Sequence, residues 1–169
     1  ERLLNSKLNG MPVLVGGVTD RGVVASCSYE ARSFGVYAGM AMKIARRLCP
    51  EAIVVRGDSG KYSKLSSEVT DILREKVPLL EKASVDEFYI DMSGMDKIFG
   101  IAKYSTEIRE YIMRQTGLPV SMGMAKNKTV SKVATSVSKP NGKMAIATGM
   151  EKSFLAPLPV RKLPLVGSE

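Results

Sequence analysis

Asp86 and Glu87 are adjacent carboxylates set between short apolar or aromatic runs, with Phe88-Tyr89-Ile90 directly after them. Those runs read as strands. Neighbouring side chains of a strand point to opposite faces, so a site that uses both carboxylates needs a bend, as at a hairpin tip. Clustered carboxylate oxygens are what a hard divalent ion such as Mg²⁺ takes as ligands. Metal pairs held in this way stabilise the attacking and leaving oxygens of phosphoryl transfer. Alone, an acidic hairpin tip reads first as a solvated turn. Ser84 supports that turn, and Asp91 in the following strand reads as structural.

Tyr29 and Arg32 lie three residues apart on a predicted short helix, Tyr29 to Phe34, and so share one of its faces. A guanidinium fork and a phenol hydroxyl suit triphosphate oxygens. Ser26, on the preceding strand, offers a hydroxyl beside them. The plain alternative is a surface arginine and a packed tyrosine. Lys126, Lys128 and Lys132 cluster at a strand end and along the helix that follows. A helix amino terminus flanked by lysines makes a phosphate cradle, and equally an ordinary solvated basic face. Lys139 precedes the turn sequence Pro140-Asn141-Gly142.

The elements that must carry these groups are legible from periodicity and punctuation. Pro12 to Val15 and Val23 to Ser26 read as strands, separated by the turn chemistry of Gly16-Gly17 and Asp20-Arg21-Gly22. Gly35 stops the short helix, and Met40 to Leu48 forms another that Pro50 halts. A strand follows at Ala52 to Val55. Leu65, Val69, Ile72, Leu73 and Val77 recur at helical spacing and predict a helix from Tyr62 to Val77. The acidic hairpin comes next, then a helix from Ala102 to Gln115 broken by Gly117. A strand at Pro119 to Met124, a helix capped by Asn127 and a strand at Lys143 to Ala147 complete the pattern. From the hairpin onward the order is strand, strand, helix, strand, helix, strand, which is much of a ferredoxin-like sheet with helices on one face.

The chain has 169 residues, enough for one or two small domains with a sizeable core. Its 25 basic and 17 acidic side chains give a formal charge of +8, which suits a polyanionic partner as well as a generally basic protein. Two cysteines, Cys27 and Cys49, are too few for a disulfide framework and indicate a reducing compartment. No apolar run approaches the roughly 18 residues of a membrane span. The ten methionines are scattered and read as core filling.

Three segments, in this order and at these separations, resemble the Y-family translesion DNA polymerases, closest to their bacterial DNA polymerase IV branch. They are Val24 to Val36, the acidic stretch Ser84 to Asp91, and Gly123 to Lys128 running on to Ser138-Lys139-Pro140-Asn141-Gly142. The run from Gly39 through Leu48-Cys49-Pro50 fits as well. The likeness covers nearly the whole chain. It implies an α+β fold: a ferredoxin-like palm at 58–148, a small α/β fingers subdomain at 1–57, and the opening of a thumb at 149–169, reached at Leu163-Pro164-Leu165-Val166-Gly167. It implies the catalytic core of an error-prone DNA-directed DNA polymerase that acts in damage tolerance or repair, in a bacterial cytoplasm. Asp86 and Glu87 would then hold two Mg²⁺ ions, Asp86 touching both and Glu87 mainly the one nearer the primer. Ser26, Tyr29, Arg32 and Lys139 would bind the phosphates of a deoxynucleoside triphosphate. Lys126, Lys128 and Lys132 would face the backbone of primer–template DNA, and a sliding clamp would engage regions outside this sequence.

The pattern is incomplete. Family members begin with a strand that carries an aspartate metal ligand and is followed by an aromatic excluding ribonucleotides, whereas Glu1-Arg2-Leu3-Leu4-Asn5 matches what comes just after them. The first palm strand and most of the thumb are therefore expected to be absent, leaving this stretch nearly inactive by itself. That strand is internal to a ferredoxin-like sheet, so its lack would open backbone donors and acceptors on two neighbours, and it or another segment is expected in that place. Two alternatives remain beside the polymerase: a palm-type nucleotide cyclase, and a non-catalytic DNA-binding relative.

Overall fold

The computed structural model describes residues 1–95 and 100–166. A 3-10 turn at Ser6–Leu8, capped by the Asn5 side chain, leads into strand β1, Val13–Gly16. Strand β2 is Val24–Cys27, helix α1 Tyr29–Ser33, helix α2 Met42–Leu48 and strand β3 Ile53–Val55. Helix α3 covers Ser59–Lys76, followed by β4 at Leu79–Lys82 and β5 at Phe88–Asp91. Helix α4 is Ile101–Thr116, β6 Met122–Met124, α5 Lys128–Ser138, β7 Lys143–Ala145 and α6 Glu151–Leu155. A last 3-10 turn covers Val160–Lys162. The expected opening of the thumb at Leu163 to Gly167 lies partly outside the described residues. The chain divides into two units, Glu1–Lys61 and Tyr62–Glu169.

In the first unit β1 is central, antiparallel to β2 and parallel to β3. Leu14 and Val24 are fully buried there, and Ala31 of α1 with Met42 and Ala45 of α2 close over them. Cys27 and Cys49 belong to the same cluster, and burial pushes the Cys49 thiol up, so both read as apolar filling. Ser28 joins strand to helix: its hydroxyl oxygen accepts from Val13 N at 3.0 Å and, as the cap of α1, from Ala31 N at 3.3 Å. Gly35, at φ +82°, takes the left-handed conformation that ends α1.

Arg2 fastens the amino-terminal segment to α1. It donates to Leu8 O at 3.1 Å, to Met11 O at 2.9 Å and to the Glu30 carboxylate at 2.6 Å. That pairing holds the Glu30 carboxyl below its ordinary value of 4.5. A carboxyl whose folded pKa is depressed contributes stability that is present above the unfolded value and lost as pH falls through the folded one. Arg2→Gln should lower stability at neutral pH by about 1 kcal/mol, an amount limited by the pair's solvent exposure. The difference from the parent should shrink as pH falls below 4.5. Urea denaturation across that range checks it.

In the second unit the strands form two pairs, β4–β5 antiparallel and β6–β7 parallel. Among the described residues the two pairs do not join into one sheet. No other described segment pairs with β5 or β6, so the expected replacement for the first strand of a ferredoxin-like sheet is not found there. The β4–β5 pair packs on helices instead. Val69, Leu73 and Val77 from α3 and just after it meet Ile108 and Ile112 of α4, with Leu80, Phe88 and Ile90 of the hairpin against them. The apolar stripe read for α3 omits two polar members of its buried face, Ser66 and Thr70. Thr70 settles its hydroxyl by donating to Ser66 O at 2.6 Å and accepting from Lys82 Nζ at 3.2 Å.

The strand expected from Pro119 is confined to Met122–Met124. Proline cannot donate to a ladder, and the Val120 carbonyl accepts from a side chain of α4 rather than from a strand. β6 continues through Asn127, whose side chain caps α5 by accepting from Val130 N at 2.9 Å, and α5 crosses over to β7. Among the described residues no helix is long and apolar enough to cross a membrane.

Candidate functional site

The hairpin β4–β5 places Asp86 and Glu87 at its tip. Register pairs Lys82 with Phe88, and Ala83 N and Ser84 N both donate to Glu87 O, at 3.0 and 3.2 Å. Ser84 closes the turn: its hydroxyl donates to Asp86 Oδ1 at 2.8 Å and accepts from Asp86 N at 3.3 Å. The bend that a two-carboxylate site requires is therefore present, and Ser84 does support it.

Glu87 is half-buried and accepts from Lys132 Nζ of α5 at 2.8 Å, while Asp86 is exposed. The Lys132 amine is held above the usual lysine range, first by its hydrogen bond to Glu87 and further by the charges of Glu87, Tyr89 and Asp86, against some desolvation. One ammonium thus sits in the field of both carboxylates. One helical turn earlier Lys128 pairs with Glu81 and lies over the Tyr89 ring, 5.5 Å from its centre. Glu81 and Tyr89 are register partners across the hairpin, so the two lysines of one α5 face dock on one face of β4–β5. Of the three lysines read as a phosphate cradle, these two engage hairpin acids. Lys126 is exposed and has no ion pair among the described residues. Spacing on α5 alone could not show these partners, because they lie more than forty positions away in sequence.

The donor set suits a hard cation. Both groups are carboxylates, and Mg²⁺ is commonly held by one or two carboxylates together with water and substrate phosphates. Among the described residues no group of three or more His, Cys, Asp or Glu side chains gathers, so this is not an all-protein cage. Asp91 lies outside the tip. Its carboxyl is held below the usual range by hydrogen bonds from the Ser93 hydroxyl and backbone, the amide at 2.8 Å, which fits a turn-closing role.

In the first unit, α1 presents Tyr29 and Arg32 on one exposed face. The guanidinium lies over the phenol ring at 5.6 Å, and Arg32 Nε donates to Cys27 O at 3.4 Å. Tyr29 is 49% exposed, so the reading of a packed tyrosine does not hold. Ser26 is exposed on β2, opposite Val15. In the second unit, Lys139 is exposed at the carboxyl end of α5 and follows it in extended backbone.

Arg109 of α4 was not singled out by the sequence. It donates from Nε to Val120 O at 2.7 Å, and from Nη2 to Asn141 O and Oδ1 at 2.7 and 2.8 Å. An arginine on the flank of an amphipathic helix carries no signal of such partners.

Residues 1–136 match the family described as impB/mucB/samB. Over its full length the chain is 43% identical to DNA polymerase IV of Treponema denticola and 39% identical to DNA polymerase IV of Dehalococcoides mccartyi, covering 43% and 44% of those proteins. It therefore spans under half the length of the curated relatives it matches. Among solved structures, DinB from Sulfolobus solfataricus superposes with a TM-score of 0.90 at 31% identity, over 99% of this chain and 50% of that one. An insertion ternary complex of Dbh DNA polymerase gives 0.89 at 31% identity, with the same coverage.

Proposed function

We infer the function from one premise: this chain belongs to the impB/mucB/samB family of Y-family polymerases. We propose that it is the fingers and palm of a translesion DNA-directed DNA polymerase, with residues 1–57 as fingers, 58–148 as palm and 149–169 as the opening of the thumb. The observation that carries this reading is the acidic tip: two adjacent carboxylates bent out of a hairpin by Ser84 and faced by Lys132.

Asp86 and Glu87 would hold the Mg²⁺ ions. A divalent cation held there supplies positive charge to the primer 3′-oxygen and to the pyrophosphate leaving group. Lys132 orients the Glu87 carboxylate through its hydrogen bond. Tyr29 and Arg32, already stacked, grip triphosphate oxygens with a hydroxyl and a planar fork, Ser26 adds a second hydroxyl, and Lys139 adds a point charge. Lys126, with Lys128 and Lys132 behind it, faces the DNA backbone. A sliding clamp as partner and a bacterial cytoplasm as location belong to the same reading.

The test is primer extension by the full-length protein. Template-directed addition of deoxynucleotides is expected. Arg32→Ala should raise the KM for the incoming nucleotide by roughly tenfold, the loss of one charge-assisted contact. Cyclic nucleotide product in place of extended primer would favour the cyclase reading. Salt-dependent DNA binding without Mg²⁺-dependent nucleotide binding would favour a non-catalytic relative.

A further inference from the structure

We propose that Arg109 is a positioning residue that sets Lys139 for phosphate contact; this rests on the reading of Lys139 given above. Lys139 has no ion pair among the described residues, and its side chain is exposed. Where its ammonium can reach is therefore decided by the backbone on either side. On the upstream side Ser138 closes α5, its hydroxyl donating to Thr135 O at 3.0 Å. On the downstream side the chain reverses at Asn141, which holds φ +48°, a left-handed conformation that asparagine tolerates better than most residues. Gly142 then packs on Ser138, where any Cβ would run into the Ser138 carbonyl. Its own carbonyl accepts from Met122 N of β6 at 3.0 Å.

Arg109 is what ties this turn to the body of the unit. Its guanidinium reaches both the carbonyl and the side-chain oxygen of Asn141, and with Nε it takes the Val120 carbonyl on the approach to β6. One planar group thus fixes α4, the segment before β6 and the turn that follows Lys139 in a single geometry. A lysine at position 109 would keep the charge but not the fork. Without Arg109 the turn loses its tie to α4, and the segment that carries Lys139 is less restrained.

The experiment measures kcat and KM for dGTP opposite template cytosine in the full-length protein, for the parent, R109K, R109Q, K139A and the R109Q/K139A double variant. Amide hydrogen exchange at Met122 is followed in parallel. R109Q is expected to raise KM by about tenfold, R109K by less, with kcat changing less than KM in both. In the K139A background R109Q should add little, because its effect runs through that lysine. Exchange at Met122, whose amide donates to Gly142 O, should quicken in R109Q. A K139A protein with unchanged KM would overturn the phosphate role of Lys139 and this proposal with it. A clear K139A effect to which R109Q adds in full would overturn the role of Arg109 alone, as would an R109Q protein with the parent's KM.

Discussion

Alanine at Asp86 or at Glu87 is expected to reduce primer extension by the full-length protein roughly a thousandfold or more, the scale of removing a main electrostatic stabiliser of a transition state. Each carboxylate would supply oxygen ligands that no neighbour can replace, since among the described residues no further acid gathers at the tip. The fold should survive both changes. Asp86 is exposed, and the Glu87–Lys132 pair is about two-fifths exposed on each side, so its loss costs about 1 kcal/mol or less. Glu87→Ala also leaves Lys132 without its closest partner, and its amine should titrate at lower pH than in the parent. Single-nucleotide extension assays read beside thermal unfolding check the pair of claims. Parental extension rates in both variants would remove the catalytic assignment.

Gly123→Ala should destabilise the second unit by about 3 kcal/mol. Gly123 is the middle residue of β6, and α5 lies directly against it. A Cβ there would run into the Ser131 carbonyl and come within 2.6 Å of Thr135 N and 2.8 Å of Thr135 Oγ1. Backbone atoms of a helix cannot step aside as a side-chain tip can, so α5 must move away from the strand. The same contact lets Ser131 Oγ donate to Gly123 O at 2.8 Å, a bond that the displacement would stretch. Because α5 carries Lys128 and Lys132, the shift would also loosen the hold on Glu87. Chemical denaturation gives the stability change. A Gly123→Ala protein as stable as its parent would show that α5 can slide at no cost.

What the sequence disclosed and what it hid divide along physical lines. Local signals carried the elements: the Asn127 cap, the glycines Gly35 and Gly117 after α1 and α4, and the apolar spacing of α3 all mark what the fold contains, within a few residues. The bend at Asp86–Glu87 was legible on the premise that one site uses both acids, because neighbours on a strand face opposite ways. Polar residues on the buried face of α3 were not legible, since Thr70 is accommodated by a hydrogen bond within its own helix that an apolar pattern does not register. Contacts distant in sequence were hidden altogether. Lys128 and Lys132 look like free surface charge until the hairpin acids are placed beside them, and Arg109 looks ordinary until the Asn141 turn comes within reach. Pro119 was read as strand on the strength of its neighbours, although proline cannot donate to a ladder.

Mn²⁺ added to the isotopically labelled protein in the presence of a deoxynucleoside triphosphate, followed by paramagnetic broadening of amide signals, addresses directly whether the hairpin tip is where a divalent cation sits. The signals of Ser84 to Phe88 should broaden first, and Asp86→Ala together with Glu87→Ala should abolish that response while leaving the rest of the spectrum in place. Broadening that begins at other acids, such as Asp20 or Asp58, or that persists at the tip after both carboxylates are removed, would contradict the account.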